Sequence, residues 1–397
     1  MTNFQETRAL FQLPADVIYL DGNSLGPLPK AAPQRMAEVM QEEWGGDLIR
    51  AWNSRGWMSW PDRLGDRIGA LIGAAGGSVA IGDTLSIKVF QAVSSALDMN
   101  PDRRVILSDS GNFPTDLYMA DGLSRLKGAG HEVRVVAPEA VADALDDSIA
   151  VLMLTEVDYR TGRRHDMAEM TRIAHQHGVI TVWDLAHSAG AFPVDLAGAG
   201  ADFAVGCTYK YLNAGPGAPA FIYVAPAHQA SVAPALSGWL GHEAPFAFDR
   251  DYRPADGVRR MRVGTPPILA MAALEAALDV WHGVSLADIR TGSEALMAAF
   301  IDTVATVCPT LELASPRDVA QRGSQVSFRH PEGYAIMQAL IDHKIIGDFR
   351  APDIIRFGFT PLYLSISEVV RAAETLGDIV NNAVWDQDKY KIRSAVT

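Results

Sequence analysis

Cysteine is nearly absent: Cys207 and Cys308 are the only thiols in 397 residues. Two cysteines cannot build a disulfide framework, and these lack the spacing of a metal-binding motif, so a reducing, cytoplasmic setting and no metal are expected. Basic residues are the minority, with 34 Lys and Arg against 47 Asp and Glu for a net charge of −13. A balance of that sign argues against a nucleic-acid or anionic-membrane partner, since both require a basic face. No apolar run approaches the roughly 20 residues that span a bilayer. Met1 to Leu10 is too charged to read as a signal peptide. Internal repeats, a Walker loop and a Gly-x-Gly-x-x-Gly run are also missing, which leaves nucleotide binding without support.

What remains is ordinary globular material, 48% apolar and 20% charged. The length suits two packed domains. Val105 to Leu107, Ile149 to Leu154, Val179 to Trp183 and Phe203 to Val205 are apolar runs without alternation. Such runs suit strands buried on both faces of a parallel sheet. Met167 to His177 carries helical periodicity and stops at Gly178. The β-α-β-α rhythm predicts an α/β fold with a large, mostly parallel sheet domain over residues 40–270. A helix at 267–282 then leads to a smaller α/β domain of residues 1–39 and 285–397, with strands near Gln325 to Phe328 and Ile354 to Phe357. Open sheets of this kind bind ligands beyond the carboxyl ends of their strands.

Two charged residues stand at such ends. Asp184 closes the strand that runs into Trp183, where a carboxylate is costly without a cationic partner. Lys210 follows about one helix and one strand later, flanked by Tyr209 and Tyr211 and by the loop Asn213-Ala214-Gly215-Pro216-Gly217. Alone, either residue reads as a cap or a solvated side chain. As a pair converging on one crevice, they match the needs of pyridoxal phosphate (PLP): a lysine to hold the cofactor and an acid to keep its ring nitrogen protonated. A phosphate site is then required, and Gly82-Asp83-Thr84-Leu85-Ser86 precedes a helical pattern. From these residues alone an ordinary N-cap is the simpler reading.

Asp184-Leu185-Ala186-His187, Tyr209 to Gly217, Gly22-Asn23-Ser24-Leu25-Gly26, Phe113-Pro114-Thr115-Asp116, Gly238 to His242 and Arg356 to Tyr363 together resemble kynureninase, an aminotransferase-like fold-type I PLP enzyme, of bacterial type. The resemblance runs through nearly the whole chain. It implies cytoplasmic hydrolysis of L-kynurenine to anthranilate and L-alanine, within tryptophan catabolism by the kynurenine pathway or within NAD biosynthesis, by a homodimer with shared active sites. It implies that Lys210 holds PLP, Asp184 meets the pyridine nitrogen and Phe113 stacks on the ring. Leu85, Ser86, Tyr209 and Trp239 would contact the phosphate, with Tyr209 also moving protons. Asp116, Thr155 and His187 would complete the cofactor shell, with Thr265 on the substrate side. Arg356 would clamp the substrate carboxylate, with Asn23 and Ser24 nearby, and Trp57 would face the aryl ring or serve equally as a core residue. One departure stands out: Lys88 occupies a position where the family often has Asn, either to add charge near the phosphate or to face solvent. A cysteine desulfurase on the same fold is the competing enzyme reading, although neither cysteine has the setting of an exposed, low-pKa thiolate. A non-catalytic scaffold is the competing non-enzyme reading, and it would be expected to lack Lys210 or Asp184.

Overall fold

The computed structural model describes residues 1–393. In chain order its main elements begin with β1 (Val79–Ile81), α1 (Leu85–Met99), β2 (Val105–Asp109), α2 (Pro114–Lys127), β3 (Glu132–Val136) and β4 (Ile149–Thr155). There follow α3 (Met167–Gln176), β5 (Ile180–Asp184), β6 (Phe203–Gly206) and β7 (Phe221–Val224). The C-terminal part comprises α4 (Ile268–Asp279), α5 (Leu286–Val307), β8 (Glu312–Leu313), β9 (Gln325–Arg329), β10 (Asp348–Arg350), β11 (Ile354–Gly358) and α6 (Ile366–Asn381).

Seven strands form one sheet in the order β1-β7-β6-β5-β4-β2-β3. The pairs from β6 to β3 are parallel, and only β7 runs against its two neighbours. All of β4 is buried. Its alternate residues enter two different cores, Leu152 and Leu154 on one face and Val151 and Met153 on the other. That is why the run is apolar without alternation: both faces of the pleat are covered. Each fully buried Leu or Met side chain contributes about 1.5–3 kcal/mol toward holding the sheet. Gly178, at φ 66°, closes α3 in the left-handed conformation that its sequence position anticipates.

A second sheet has the order β8-β9-β11-β10, antiparallel throughout. The chain start binds to this end of the molecule. Ile18–Tyr19 pairs in parallel with Ile345–Ile346, and Arg8 grips Glu368 through two hydrogen bonds of 2.7 and 2.6 Å. Glu368 also completes a capping box with Ser365 at the start of α6.

One polar knot ties three elements of the large sheet. Buried Asp202, just before β6, accepts from Thr181 N at 2.8 Å, Thr181 Oγ1 at 2.9 Å, His175 Nε2 at 2.8 Å and His228 Nε2 at 2.7 Å. Burial alone would push this carboxyl up. The bonds from His228, His175 and the Thr181 amide outweigh burial and hold it below the usual carboxylate value. A folded value below the unfolded one means stabilisation that is present at neutral pH and fades as pH falls through the carboxylate range. Asp202→Asn should therefore cost about 1.5–3 kcal/mol near pH 7 by urea denaturation. The gap to the parent should shrink toward pH 4, and a gap independent of pH would show that the charge is not what matters.

Candidate active site

The sheet topology brings Asp184 and Lys210 together. Asp184 is the last residue of β5, and Lys210 follows the end of β6, the adjacent parallel strand. The turn after Lys210 takes left-handed backbone at Asn213, Gly215 and Gly217 (φ 59°, 88° and 73°), which reverses the chain beside the strand ends. A hook from the chain start closes over it: Gly26 N donates to Tyr209 O at 2.7 Å. A side chain at Gly26 would put its Cβ 2.4 Å from the Lys210 carbonyl, so only glycine allows this approach.

Around Lys210 lies a cavity of about 170 Å³. Ten of the residues expected from sequence line it: Asn23, Ser24, Leu85, Phe113, Thr155, Asp184, His187, Tyr209, Lys210 and Arg356. Tyr159, Ala186 and Arg350 also line it and were not expected. Arg350 had a readable signal, since Asp348 and Arg350 share one face of a strand six residues before Arg356. Tyr159 had none, because it sits in an irregular loop.

Lys210 Nζ is 3.0 Å from His187 Nε2 and about 6 Å from the ring centroids of Phe113 (6.0 Å) and Tyr209 (5.9 Å). Burial, then the neighbouring Lys210, Arg356 and Arg350 cations, push His187 down, so it stays neutral and can accept from the lysine. Phe113 is 40% exposed despite its apolar ring, held edge-on to Tyr159 at 5.1 Å. Asp184 is buried, accepting from Ala186 N at 2.9 Å. Burial pushes its carboxyl up while Lys210 pulls it back. Asp116, in the first turn of α2, is pushed up by burial and by Asp184, and its Oδ2 is buried without a partner. A buried acid pair beside a lysine, with Asp116 Oδ2 left without a partner and an aromatic ring exposed in the same cavity as Asp184, fits a flat cationic ring such as that of PLP. No group of residues suited to hold a metal ion occurs among the described residues.

Five expected residues do not line this cavity: Asp116, Ser86, Trp57, Trp239 and Thr265. Ser86 is in the first turn of α1, whose N-cap Thr84 makes no side-chain cap, so the helix start keeps free N–H groups. Trp57, Trp239 and Thr265 gather instead around residues 262–267. Trp57 borders an apolar cavity with Trp44, Pro266 and Pro267. Thr265 borders a polar one with Asp83, Thr84 and Arg262. The turn holding Trp239 packs on Val263, through the bond from Leu240 N to Val263 O. Trp57 is 7% exposed, and its indole N–H donates to buried Glu43 at 2.6 Å. Lys88 does not face solvent. It is wholly buried, donating to Asp83 at 3.0 Å, Gln91 at 2.9 Å and the Met261 carbonyl at 3.1 Å.

Cys207 and Cys308 are free and buried, at 3% and 0% exposure, and burial pushes the Cys207 thiol up. Neither can act as the exposed thiolate that desulfurase chemistry needs. Yet the fold is shared with such enzymes. A cysteine desulfurase from Thermococcus onnurineus superposes with a TM-score of 0.81 at 19% identity, covering 96% of this chain and 99% of that one. A C-DES mutant with glycine covalently linked to its PLP cofactor gives 0.80 at 19% identity, covering 95% and 100%. The architecture is therefore the aminotransferase-like one of fold-type I PLP enzymes. Among the described residues no helix is long and apolar enough to cross a membrane.

Sequence comparison is more specific than fold. Residues 289–376 match the kynureninase C-terminal domain. The chain is 50% identical to kynureninase of Pseudomonas fluorescens, over 98% of this chain and 95% of that one. It is 52% identical to kynureninase of Deinococcus radiodurans, over 94% and 92%. With the strand-end lysine, the buried Asp184 and the N-terminal hook all lining one cavity, these likenesses establish that the chain belongs to the kynureninase family.

Proposed function

We propose that this chain hydrolyses L-kynurenine to anthranilate and L-alanine, using PLP held by Lys210. The observation that carries the reading is one cavity joining Lys210, Asp184, Phe113 and Arg356, in a chain half identical to kynureninases along its length. Bound PLP supplies a conjugated cationic ring that accepts the electron pair released at the substrate α-carbon. Asp184 keeps a proton on the ring nitrogen, a task its burial suits because the ion pair is formed out of water. Asp116, Thr155 and His187 complete the ring's polar surroundings, and Phe113 covers one face. Leu85 and Ser86, at the open start of α1, hold the phosphate with Tyr209. The Lys210 amine takes the α-proton, with neutral His187 as its hydrogen-bond acceptor. Arg356, with Asn23 and Ser24, receives the substrate carboxylate. Water adds at the γ-ketone and the Cβ–Cγ bond breaks. The hydroxyl stays on the aryl carboxyl, and a proton delivered through Tyr209 ends on the alanine methyl.

Trp57, Trp239 and Thr265 enter through assembly. They cluster away from Lys210 on their own chain, in a region where Trp239 (42%), Phe246 (62%) and Phe248 (78%) expose large apolar surface. A two-fold homodimer that sets this cluster over the partner's Lys210 cavity covers that surface and completes both sites. The two sheets would then belong to separate domains, divided as the sequence suggests, with the substrate between them. Two buried free thiols suit a reducing cytoplasm, and the reaction suits tryptophan catabolism or the supply of precursors to NAD.

Four measurements test the reading. Incubated with PLP and L-kynurenine, the protein should release fluorescent anthranilate; failure to do so refutes the function. Trp57 has its N–H committed to Glu43 and presents only carbon to the aryl ring. A 3-hydroxyl would lose water there without gaining a partner, so kcat/KM for 3-hydroxykynurenine should be lower by about ten-fold. Asp184→Asn should still bind PLP by absorbance but lose turnover by about 100-fold or more, because an amide cannot balance the pyridinium. Near-parent turnover would make Asp184 a structural cap. Finally, Lys210→Ala chains mixed with Trp239→Ala/Thr265→Ala chains should recover about a quarter of parent activity, from random mixed dimers that hold one intact site. Activity no greater than the sum of the separate variants would exclude shared sites.

A further inference from the structure

Arg356 has little left to give a ligand. A guanidinium carries five N–H donors. Nε donates to Asp348 Oδ1 at 2.8 Å, and Nη2 donates to Asp348 Oδ2 and to Ser24 Oγ, the latter at 2.8 Å. Nη1 donates to the Tyr159 carbonyl. One N–H remains. The bidentate grip on a substrate carboxylate that the sequence suggests for Arg356 is thus already made, to Asp348. The cause is register: Asp348 stands directly across from Arg356 in the β10–β11 pair.

Arg350 shares the same anchors. It lies two residues beyond Asp348 on the same strand face, so its side chain enters the same cavity. Nη2 donates to Asp348 Oδ2 at 2.6 Å and to Ser24 Oγ at 3.0 Å. Its Nε is buried with no acceptor. A buried donor of this kind loses free energy until an acceptor arrives. The local charge agrees. Two guanidiniums face one ionised carboxylate, since Arg356 and Arg350 offset the burial of Asp348 and hold it below the usual range. Asp21 beside them is pushed up, by burial and then by Asp348. Arg350 and Arg356 thus share the single carboxylate of Asp348 between them.

We propose that Arg350 is the second carboxylate-binding residue: its free Nε–H and the last N–H of Arg356 each take one oxygen of the substrate α-carboxylate, while Asp348 and Ser24 hold both guanidiniums in place. Recognition by two fixed arginines selects amino acids against the corresponding amines. This rests on the reading of L-kynurenine as substrate, and the test separates the two.

The probes are L-kynurenine and kynuramine, the same molecule without its α-carboxylate. Binding to the PLP-loaded enzyme is read from the rapid change in cofactor absorbance on mixing. In Arg350→Gln, affinity for L-kynurenine should fall about ten-fold or more, as loss of a charge-assisted hydrogen bond requires, with kynuramine changed less than about two-fold. Equal weakening of both ligands, or no weakening of either, overturns the proposal. Comparing two ligands on one preparation cancels a general loss of folded protein. If Arg350→Gln does not accumulate, Arg350→Lys carries the same comparison, because an ammonium keeps the charge but loses the fixed Nε–H. If the parent binds L-kynurenine without forming anthranilate, the proposed function fails while the ratio of the two affinities still decides the role of Arg350.

Discussion

A carboxylate at the end of a buried strand must have a cation, and the placement of Asp184 sets the demands that the rest of this site answers. Burial raises the free energy of its charged form, and the neighbouring Lys210 is itself turned toward His187. The debt is left for a bound cationic ring to discharge. Everything around it serves that end: parallel neighbours β5 and β6 stop at the same level, a left-handed turn brings the chain back, and Phe113 waits with an open face. Asp116 deepens the shortage of positive charge instead of relieving it. A protein with no cofactor to bind would gain stability by replacing such a pair with apolar side chains.

The strands that carry these residues were legible because burial on both faces writes itself as an unbroken apolar run. β2, β4, β5 and β6 were all readable in that way, each extending a residue or two past its apolar core. β1, β3 and β7 were not. β3 is an edge strand with a half-exposed, charged pattern, and β1 and β7 are three and four residues long. Antiparallel insertion of β7 leaves no mark in composition either, so the sheet reads simply as mostly parallel. The stretch Val39–Asp47, wound as a π-helix, gives no periodicity to detect, although Glu43 within it anchors Trp57.

Site residues divided along a physical line. Those fixed by one strand end or by a motif in continuous sequence, such as Asp184, His187 and Lys210, meet in the cavity as expected. A lysine beside a loop suggests solvent or phosphate, whereas Lys88 is buried by its neighbours Asp83 and Gln91 and by the Met261 carbonyl from a distant segment. Arg350 was passed over because Arg356 stands in the stronger motif, and only the cross-strand register reveals that Arg356 is already engaged by Asp348. Contacts set by pairing across strands cannot be read from either strand alone.

The hook at Gly22 to Gly26 has a temporal consequence. Its partners lie far along the chain: the backbone of Tyr209 and, through the bond from Gly358 N to Leu20 O, the end of β11. Its Asn23 side chain packs so closely on Gly358 that a Cβ there would lie 2.3 Å from Asn23 Oδ1. The hook therefore cannot take its full seat until residues more than three hundred positions later have been made. A fragment that stops short of β11 cannot display the finished pocket, because part of the seat of the hook lies on that strand.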